Sequence, residues 1–318
     1  MASVLIFPGQ GVQKVGMGLA FVNGYSSGME VMREIEEAIS FKISRLINEG
    51  PIEELSKTEN AQLAIFAISA ICTRILEREY GYIIEKKCKY LAGHSLGEYA
   101  ALCSAGVFSI TDGAKIVKRR SELMANVSGD AEESCMVALL GVCASDVEDT
   151  VAAYNVGRDM CVIANDNSPS EVVISGIKRT VKEVVEKVKI SFNLLKAIEL
   201  NTSGPFHSPL MCKAAIEYDK YLLQNFNCND FKVPVIMNTT ARPLTEKKLV
   251  HEHLIRQITD RVRWRETVEL IVDDPEITKI VEVAPGRTLS KMIKRSYPDV
   301  DVISLETVSQ VEEFVQSE

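Results

Sequence analysis

Long membrane-type apolar runs, paired cysteine motifs and an excess of positive charge are all missing from this chain. The eight cysteines, Cys72, Cys88, Cys103, Cys135, Cys143, Cys161, Cys212 and Cys228, include no C-x-x-C pair. They offer neither metal-ligand spacing nor a disulfide framework, and are expected to be reduced packing thiols in the cytoplasm. No apolar run is read as approaching the length of a membrane span. The opening Met1-Ala2-Ser3-Val4-Leu5-Ile6-Phe7-Pro8 lacks the basic region and cleavage site of a signal peptide, and reads as a buried first strand. A net charge of −8 argues against nucleic acid as the main partner. No internal repeat or low-complexity segment is evident. What remains is the balance of a soluble globular protein, with 46% apolar and 25% charged residues. A length of 318 residues allows one large domain, or a large one carrying a smaller.

Strand-like and helix-like segments alternate along the chain. Val4–Phe7, Lys89–Ala92, Val233–Met237, Lys279–Val283 and Val300–Leu305 are apolar runs of strand length. Between the first two lie helical stretches at Ser26–Ala38, Ile43–Asn48 and Asn60–Tyr80. That alternation predicts an α/β fold with a mainly parallel sheet and helices on both faces. The middle of the chain has a different rhythm. Met136–Val142, Cys161–Ala164, Val172–Ser175 and Leu194–Leu200 read as strands, and Ser145–Tyr154 and Thr180–Lys189 as helices. The order is βαββαβ, the ferredoxin-like arrangement. With Ser128–Glu133 as a polar entry linker, a small domain is expected at 129–197. It would be inserted between residues 1–128 and 198–318 of a large α/β-hydrolase-like domain. The cleft between the two is the expected ligand site.

Lys89–Ala92 runs into Gly93-His94-Ser95-Leu96-Gly97, and a helical stretch follows. This is the nucleophile-elbow pattern, in which a serine sits on a sharp strand-to-helix turn with helix N–H groups behind it. A serine nucleophile needs a base, and the chain holds four histidines. His94 adjoins Ser95 and reads as structural, because neighbours across an elbow point differently. His251 and His253 fall in a charged segment and read as a solvated helix face. His207 remains, followed by Ser208 as a candidate N-cap and Pro209 as a first helical residue. A helix N-terminus there would keep the imidazole neutral, as a base must be.

Ser109-Ile110-Thr111-Asp112 resembles a capping box ahead of a helix through Met124. On its wheel, Arg120 falls among Ile116, Val117, Leu123 and Met124, while Lys115, Lys118 and Arg119 lie opposite. A buried guanidinium needs a partner. A structural carboxylate would serve; so would a substrate carboxylate held in a bidentate pair.

Together, Phe7-Pro8-Gly9-Gln10-Gly11-Val12-Gln13, Gly93–Tyr99, Lys118-Arg119-Arg120, Gly204–Met211 and Val283-Ala284-Pro285-Gly286 resemble the malonyl-CoA:acyl-carrier-protein transacylases of bacterial fatty acid synthesis. The resemblance runs from Phe7 to about Leu305, with the motifs in family order. It implies Ser95 as the acylated nucleophile and His207 as its dyad partner. It implies Arg120 as the grip on the malonyl carboxylate, and the backbone N–H groups of Gln10 and Leu96 as the oxyanion hole. Gln257 would orient the histidine through its backbone carbonyl, and Gln62 would line the pocket. The implied partners are malonyl-CoA or CoA and an acyl carrier protein, without cofactor, metal, nucleic acid or membrane, for a monomeric cytoplasmic enzyme. Lys115, Lys118 and Arg119 are candidates for meeting an acidic carrier. Val12 and Leu63 stand where the family usually has serine and proline. Two rivals remain at this stage: a hydrolase using Asp166 as its acidic triad member, and a non-enzymatic binding subunit.

Overall fold

The computed structural model describes residues 2–127, 134–154 and 160–317. The expected entry linker, Ser128–Glu133, lies outside them. Among the described residues, ten strands form two sheets. The first sheet takes β1 (Ala2–Phe7), β2 (Cys88–Gly93), β7 (Val235–Met237), β8 (Arg242–Leu244), β9 (Ile277–Val283) and β10 (Val302–Leu305), in the order β10-β9-β1-β2-β7-β8. All its pairings are parallel except β7 with β8. Val4, Leu5, Ile6 and Phe7 are each fully buried, which explains why β1 is an unbroken apolar run: it is central, with a layer on each face.

The second sheet takes β3 (Ser134–Leu140), β4 (Cys161–Ser168), β5 (Glu171–Ile177) and β6 (Lys196–Glu199), in the order β4-β5-β3-β6. Every pairing in it is antiparallel. Helices Ala144–Ala152 and Lys178–Ser191 complete βαββαβ, and Val147, Val151, Val181, Val184 and Val188 bury an apolar core against it.

Three expectations shift. The strand expected at Cys161–Ala164 continues over Asn165, Asp166, Asn167 and Ser168, all buried although polar. Val262 explains part of this: its N–H donates to the Ala164 carbonyl and its carbonyl accepts from the Asp166 N–H, which satisfies the polar backbone. The last strand is shorter than expected and exposed throughout. The helix Thr58–Arg78 is long and apolar enough to cross a membrane by length and composition, which corrects the reading that no run is. Of its apolar window, 83% is buried inside the protein, as the core helix of this fold.

Candidate active site

Close backbone approach builds the elbow. A Cβ on Gly93 would stand 2.0 Å from the Gly97 carbonyl carbon, and one on Gly97 would stand 2.1 Å from the Phe7 oxygen, so neither position admits a side chain. The Gly97 N–H donates to the His94 carbonyl, and the helix Gly97–Ser104 begins at once. Ser95 is left at φ 50, in the left-handed region. Only four non-glycine residues have positive φ among the described residues, and His207, at φ 55, is another. Strained backbone of this kind persists where surrounding structure over-determines it.

Ser95 Oγ and His207 Nε2 are 2.8 Å apart. His207 Nδ1 lies 2.7 Å from the Gln257 carbonyl oxygen, which can only accept, so Nδ1 carries the proton and Nε2 is the free acceptor. The serine hydroxyl therefore donates to Nε2. Burial, and then the Arg120 guanidinium, pull the His207 pKa down to about 3. The expected source of its neutrality, a helix N-terminus, is not the main one. The segment after it is a short 3₁₀ turn, Pro209–Met211, and the Ser208 hydroxyl donates back to the Pro205 carbonyl at 2.6 Å instead of capping that turn.

Arg120 is 1% exposed and forms no ion pair among the described residues. Nη1 donates to Gln62 Oε1 at 2.5 Å; Nη2 donates to Gln257 Oε1 at 2.9 Å and to Ser95 Oγ at 3.1 Å. Its guanidinium carbon sits 5.2 Å from the centre of the Tyr99 ring, and Nε has no partner among the described residues. A buried cation surrounded by neutral acceptors, with a donor to spare, is poised for an anion. No carboxylate pairs directly with Arg120 among the described residues; Glu98 faces it and reaches it only through Gln257. The helix that carries Arg120, Ile110–Val127, starts as expected at Ser109, whose Oγ accepts the Asp112 N–H at 3.0 Å. The box is incomplete: the Asp112 carboxylate accepts from the Ser109 hydroxyl instead of its N–H.

The backbone N–H groups of Gln10 and Leu96 find no acceptor among the described residues, whereas the Ser95 N–H is taken by Asn238 Oδ1 at 2.7 Å. Both residues line a cleft of about 480 Å³ with Ser95, His207 and Gln62. Its other wall comes from the second sheet: Met136, Ala138, Asn165, Asn167, Glu171 and Val173. The cleft therefore lies between the two sheets.

Two residues that sequence reasoning left out lie directly under the elbow. Glu98 is fully buried, and its Oε2 accepts the Asn238 N–H at 2.5 Å while its Oε1 accepts Gln257 Nε2 at 2.9 Å. Asn238 Nδ2 donates to the Gly93 carbonyl at 2.6 Å, so one asparagine holds both sides of the turn. Burial pushes the Glu98 pKa up, while the Asn238 N–H, Arg120 and Gln257 pull it back.

With this geometry in place, comparison with known proteins decides the lineage. The model of the acyl transferase domain family matches residues 4–312. A malonyl CoA-acyl carrier protein transacylase of Bacillus subtilis is 35% identical over 98% of this chain and 96% of that protein. The chain belongs to this acyltransferase family. A crystal structure of acyl-carrier-protein-S-malonyltransferase from Bartonella henselae superposes with a TM-score of 0.93 at 36% identity, covering 100% of this chain and 99% of that one. A type II polyketide-synthase acyl-carrier protein in complex with its malonyl-transacylase gives a TM-score of 0.92 at 27% identity over the full length of both chains.

The other three histidines of this acyltransferase make no bond to Ser95 Oγ among the described residues, although His94 lines the cleft. His94 Nε2 is bonded to Asn167 Oδ1 at 2.8 Å, and its ring edge packs on Trp264. His253 Nδ1 is bonded to the Thr239 hydroxyl, and both His251 and His253 are half-buried, which corrects the solvated face expected for them. Asp166 is no triad member. Its carboxylate pairs with Arg265 at 3.0 Å, and His207 Nδ1 is taken by the Gln257 carbonyl. Of the basic face expected to meet a carrier, Lys118 pairs with Glu122, and Arg119 lies within 4 Å of Glu122 and Glu217. Val12 lines the cleft, and Leu63 is buried in the main core.

Proposed function

We propose that the chain moves a malonyl group from malonyl-CoA to the phosphopantetheine thiol of an acyl carrier protein, through a malonyl ester on Ser95. The observation that carries this reading is the position of the Ser95 hydroxyl, 2.8 Å from His207 Nε2 and 3.1 Å from Arg120 Nη2. A nucleophile with its base on one side and a buried arginine on the other suits a short acyl group ending in a carboxylate. In malonyl the carboxylate carbon is two bonds from the thioester carbonyl, so Arg120 can hold it while Ser95 attacks.

In the first half-reaction Ser95 Oγ bonds to the thioester carbon as its proton passes to His207 Nε2. The Gln10 and Leu96 N–H groups receive the oxyanion. The C–S bond then breaks and the CoA sulfur leaves with the proton from His207. The second half-reaction reverses these steps with the carrier thiol. Thioester exchange between two thiols is nearly isoenergetic, and the reaction balances with protons alone. The names of the relatives support malonyl and carrier as the partners. The free state of all eight cysteines fits a cytoplasmic location. On the same reading, 129–197 is an inserted small domain supplying one wall of the cleft to a large domain made of 1–128 and 198–318.

The test is product analysis. With malonyl-CoA alone, CoA release should stop at about one equivalent per enzyme; with holo carrier it should continue, and the malonyl group should appear on the carrier. Steady release of free malonate without carrier would make this a thioesterase instead.

A pH experiment probes His207. The neutral imidazole should persist far into acid, so the rate of Ser95 acylation should show no inflection near 6.5. The unfolded chain takes up this proton near 6.5 and the folded one only near 3. The contribution of His207 to stability is therefore complete above 6.5 and is lost as pH falls toward 3. His207→Ala should slow acylation by roughly 10²–10⁴-fold. An acylation rate that halves near pH 6.5, together with a His207→Ala rate near that of the parent, would remove it as the base.

A further inference from the structure

We infer that Glu98 is a positioning residue for substrate selection: it fixes which way the Gln257 side-chain amide points, and through that amide it sets both Arg120 and the Ser95 backbone. The inference rests on the malonyl reading above. Its ground is a directional chain of hydrogen bonds. Glu98 Oε1 accepts from Gln257 Nε2 at 2.9 Å, which also donates to the Ser95 carbonyl at 2.9 Å. That leaves Gln257 Oε1 facing the opposite way, where it accepts from Arg120 Nη2 at 2.9 Å. The backbone carbonyl of the same residue holds His207. One glutamine thus touches nucleophile, base and arginine, and the direction of its amide matters at two of the three.

An acceptor at position 98 adds to this direction, which the Ser95 carbonyl and the donor-only Arg120 also favour. The other oxygen of Glu98 is taken by the main-chain N–H of Asn238, which cannot turn around. Each oxygen receives an N–H and neither meets an acceptor, contacts that favour the carboxylate against the burial that pushes its pKa up to about 8. No polar group of Glu98 faces solvent, and the charged group facing it is Arg120, from the neighbouring helix. The Tyr99 ring beside them is neutral across the working range, since burial pushes its hydroxyl up to about 12. A carboxylate buried this deeply in a helix of small and apolar residues is costly unless it organises something.

Glu98→Gln keeps the shape and reverses one contact. The introduced amide must give its oxygen to the Asn238 N–H, so its NH₂ faces Gln257. Gln257 then has to turn, presenting its own NH₂ to Arg120 and withdrawing the donor from Ser95. Arg120 loses its acceptor and its placement, so malonyl transfer should suffer more than transfer of an acyl group without a carboxylate. The ratio of kcat/KM for malonyl-CoA over acetyl-CoA should fall roughly ten- to a hundredfold, with a melting curve still cooperative. Glu98→Asp retains the charge but is one methylene too short to span Asn238 and Gln257, and should lower the same ratio; it also serves if the Glu98→Gln protein does not fold. A purely structural Glu98 would lower both substrates alike and leave the ratio within about twofold of the parent in both variants, and that result overturns the inference. A parent enzyme without malonyl preference would instead defeat the functional reading itself, and is read from the parent before any variant is made.

Discussion

Ser95→Ala protein mixed with malonyl-CoA should gain no mass, whereas the parent gains one malonyl group that peptide mapping places on Ser95. Transfer to the carrier should fall by on the order of 10⁴-fold or more, as for serine enzymes that lose the nucleophile. The expected size follows from the geometry. Among the described residues, the hydroxyl is the one group bonded to both His207 Nε2 and Arg120 Nη2, and the turn that presents it is fixed by Gly93, Gly97 and Asn238. Alanine removes the oxygen without disturbing that turn, because the Ser95 N–H and carbonyl keep their bonds to Asn238 and Gln257. Folding should therefore be preserved, and the loss is chemical. A malonyl adduct that survives the substitution, on any residue, would refute a serine ester as the intermediate. The same ester predicts parallel lines in double-reciprocal plots with malonyl-CoA and carrier varied, because CoA leaves before the carrier binds.

How much of this could be seen in the sequence depends on the range of the interaction. Five strands of the main sheet were legible as apolar runs, Val4–Phe7 most clearly, whereas β8, exposed at Arg242 and Pro243, was not. The βαββαβ rhythm was legible from the apolar runs of β3, β4 and β5 and the valine-bearing helices, although β6 is exposed throughout. Asn165–Ser168 was not, because its polar side chains are satisfied by partners far along the chain: His94 for Asn167 and Arg265 for Asp166. Ser95 stood out from its Gly-His-Ser-Leu-Gly turn, His207 by elimination among four histidines, and Arg120 because its type clashed with an apolar helix face. Glu98 carried the same signal, a lone carboxylate in Gly97-Glu98-Tyr99-Ala100-Ala101-Leu102, and could have been found by the argument that found Arg120. What no local pattern could supply was its pairing with Gln257 and Asn238, 159 and 140 residues away. The neutrality of His207 has a similar origin. Local reasoning offered a helix terminus, but burial and Arg120 supply it.

Arg120→Ala should lose most malonyl transfer while gaining in relative activity toward acetyl-CoA. The guanidinium is 1% exposed, so a carboxylate that reaches it leaves water behind and meets a full charge in a medium of low polarity. Removing one partner of such a desolvated pair costs roughly 2–5 kcal/mol, equivalent to a change of about 30- to several-thousand-fold in the malonyl-to-acetyl ratio. Acetyl-CoA brings no anion, and in the parent it leaves the buried cation unneutralised, which is the physical basis of its rejection. Arg120→Lys should recover only part of the loss. An ammonium is a point charge and cannot donate to a carboxylate in the forked geometry, nor reach Gln62, Gln257 and Ser95 at once as Arg120 does. The competing account makes Arg120 a structural tie among Gln62, Gln257 and Tyr99. On that account the alanine variant would melt earlier and slow both substrates equally, with the ratio unchanged. The three neutral acceptors argue against it, since a structural guanidinium buried this deeply would be expected to hold a carboxylate at hydrogen-bonding distance, and none pairs with it among the described residues. The ratio of kcat/KM values, measured on protein with an intact melting transition, decides between them: a ratio within about twofold of the parent refutes the carboxylate role.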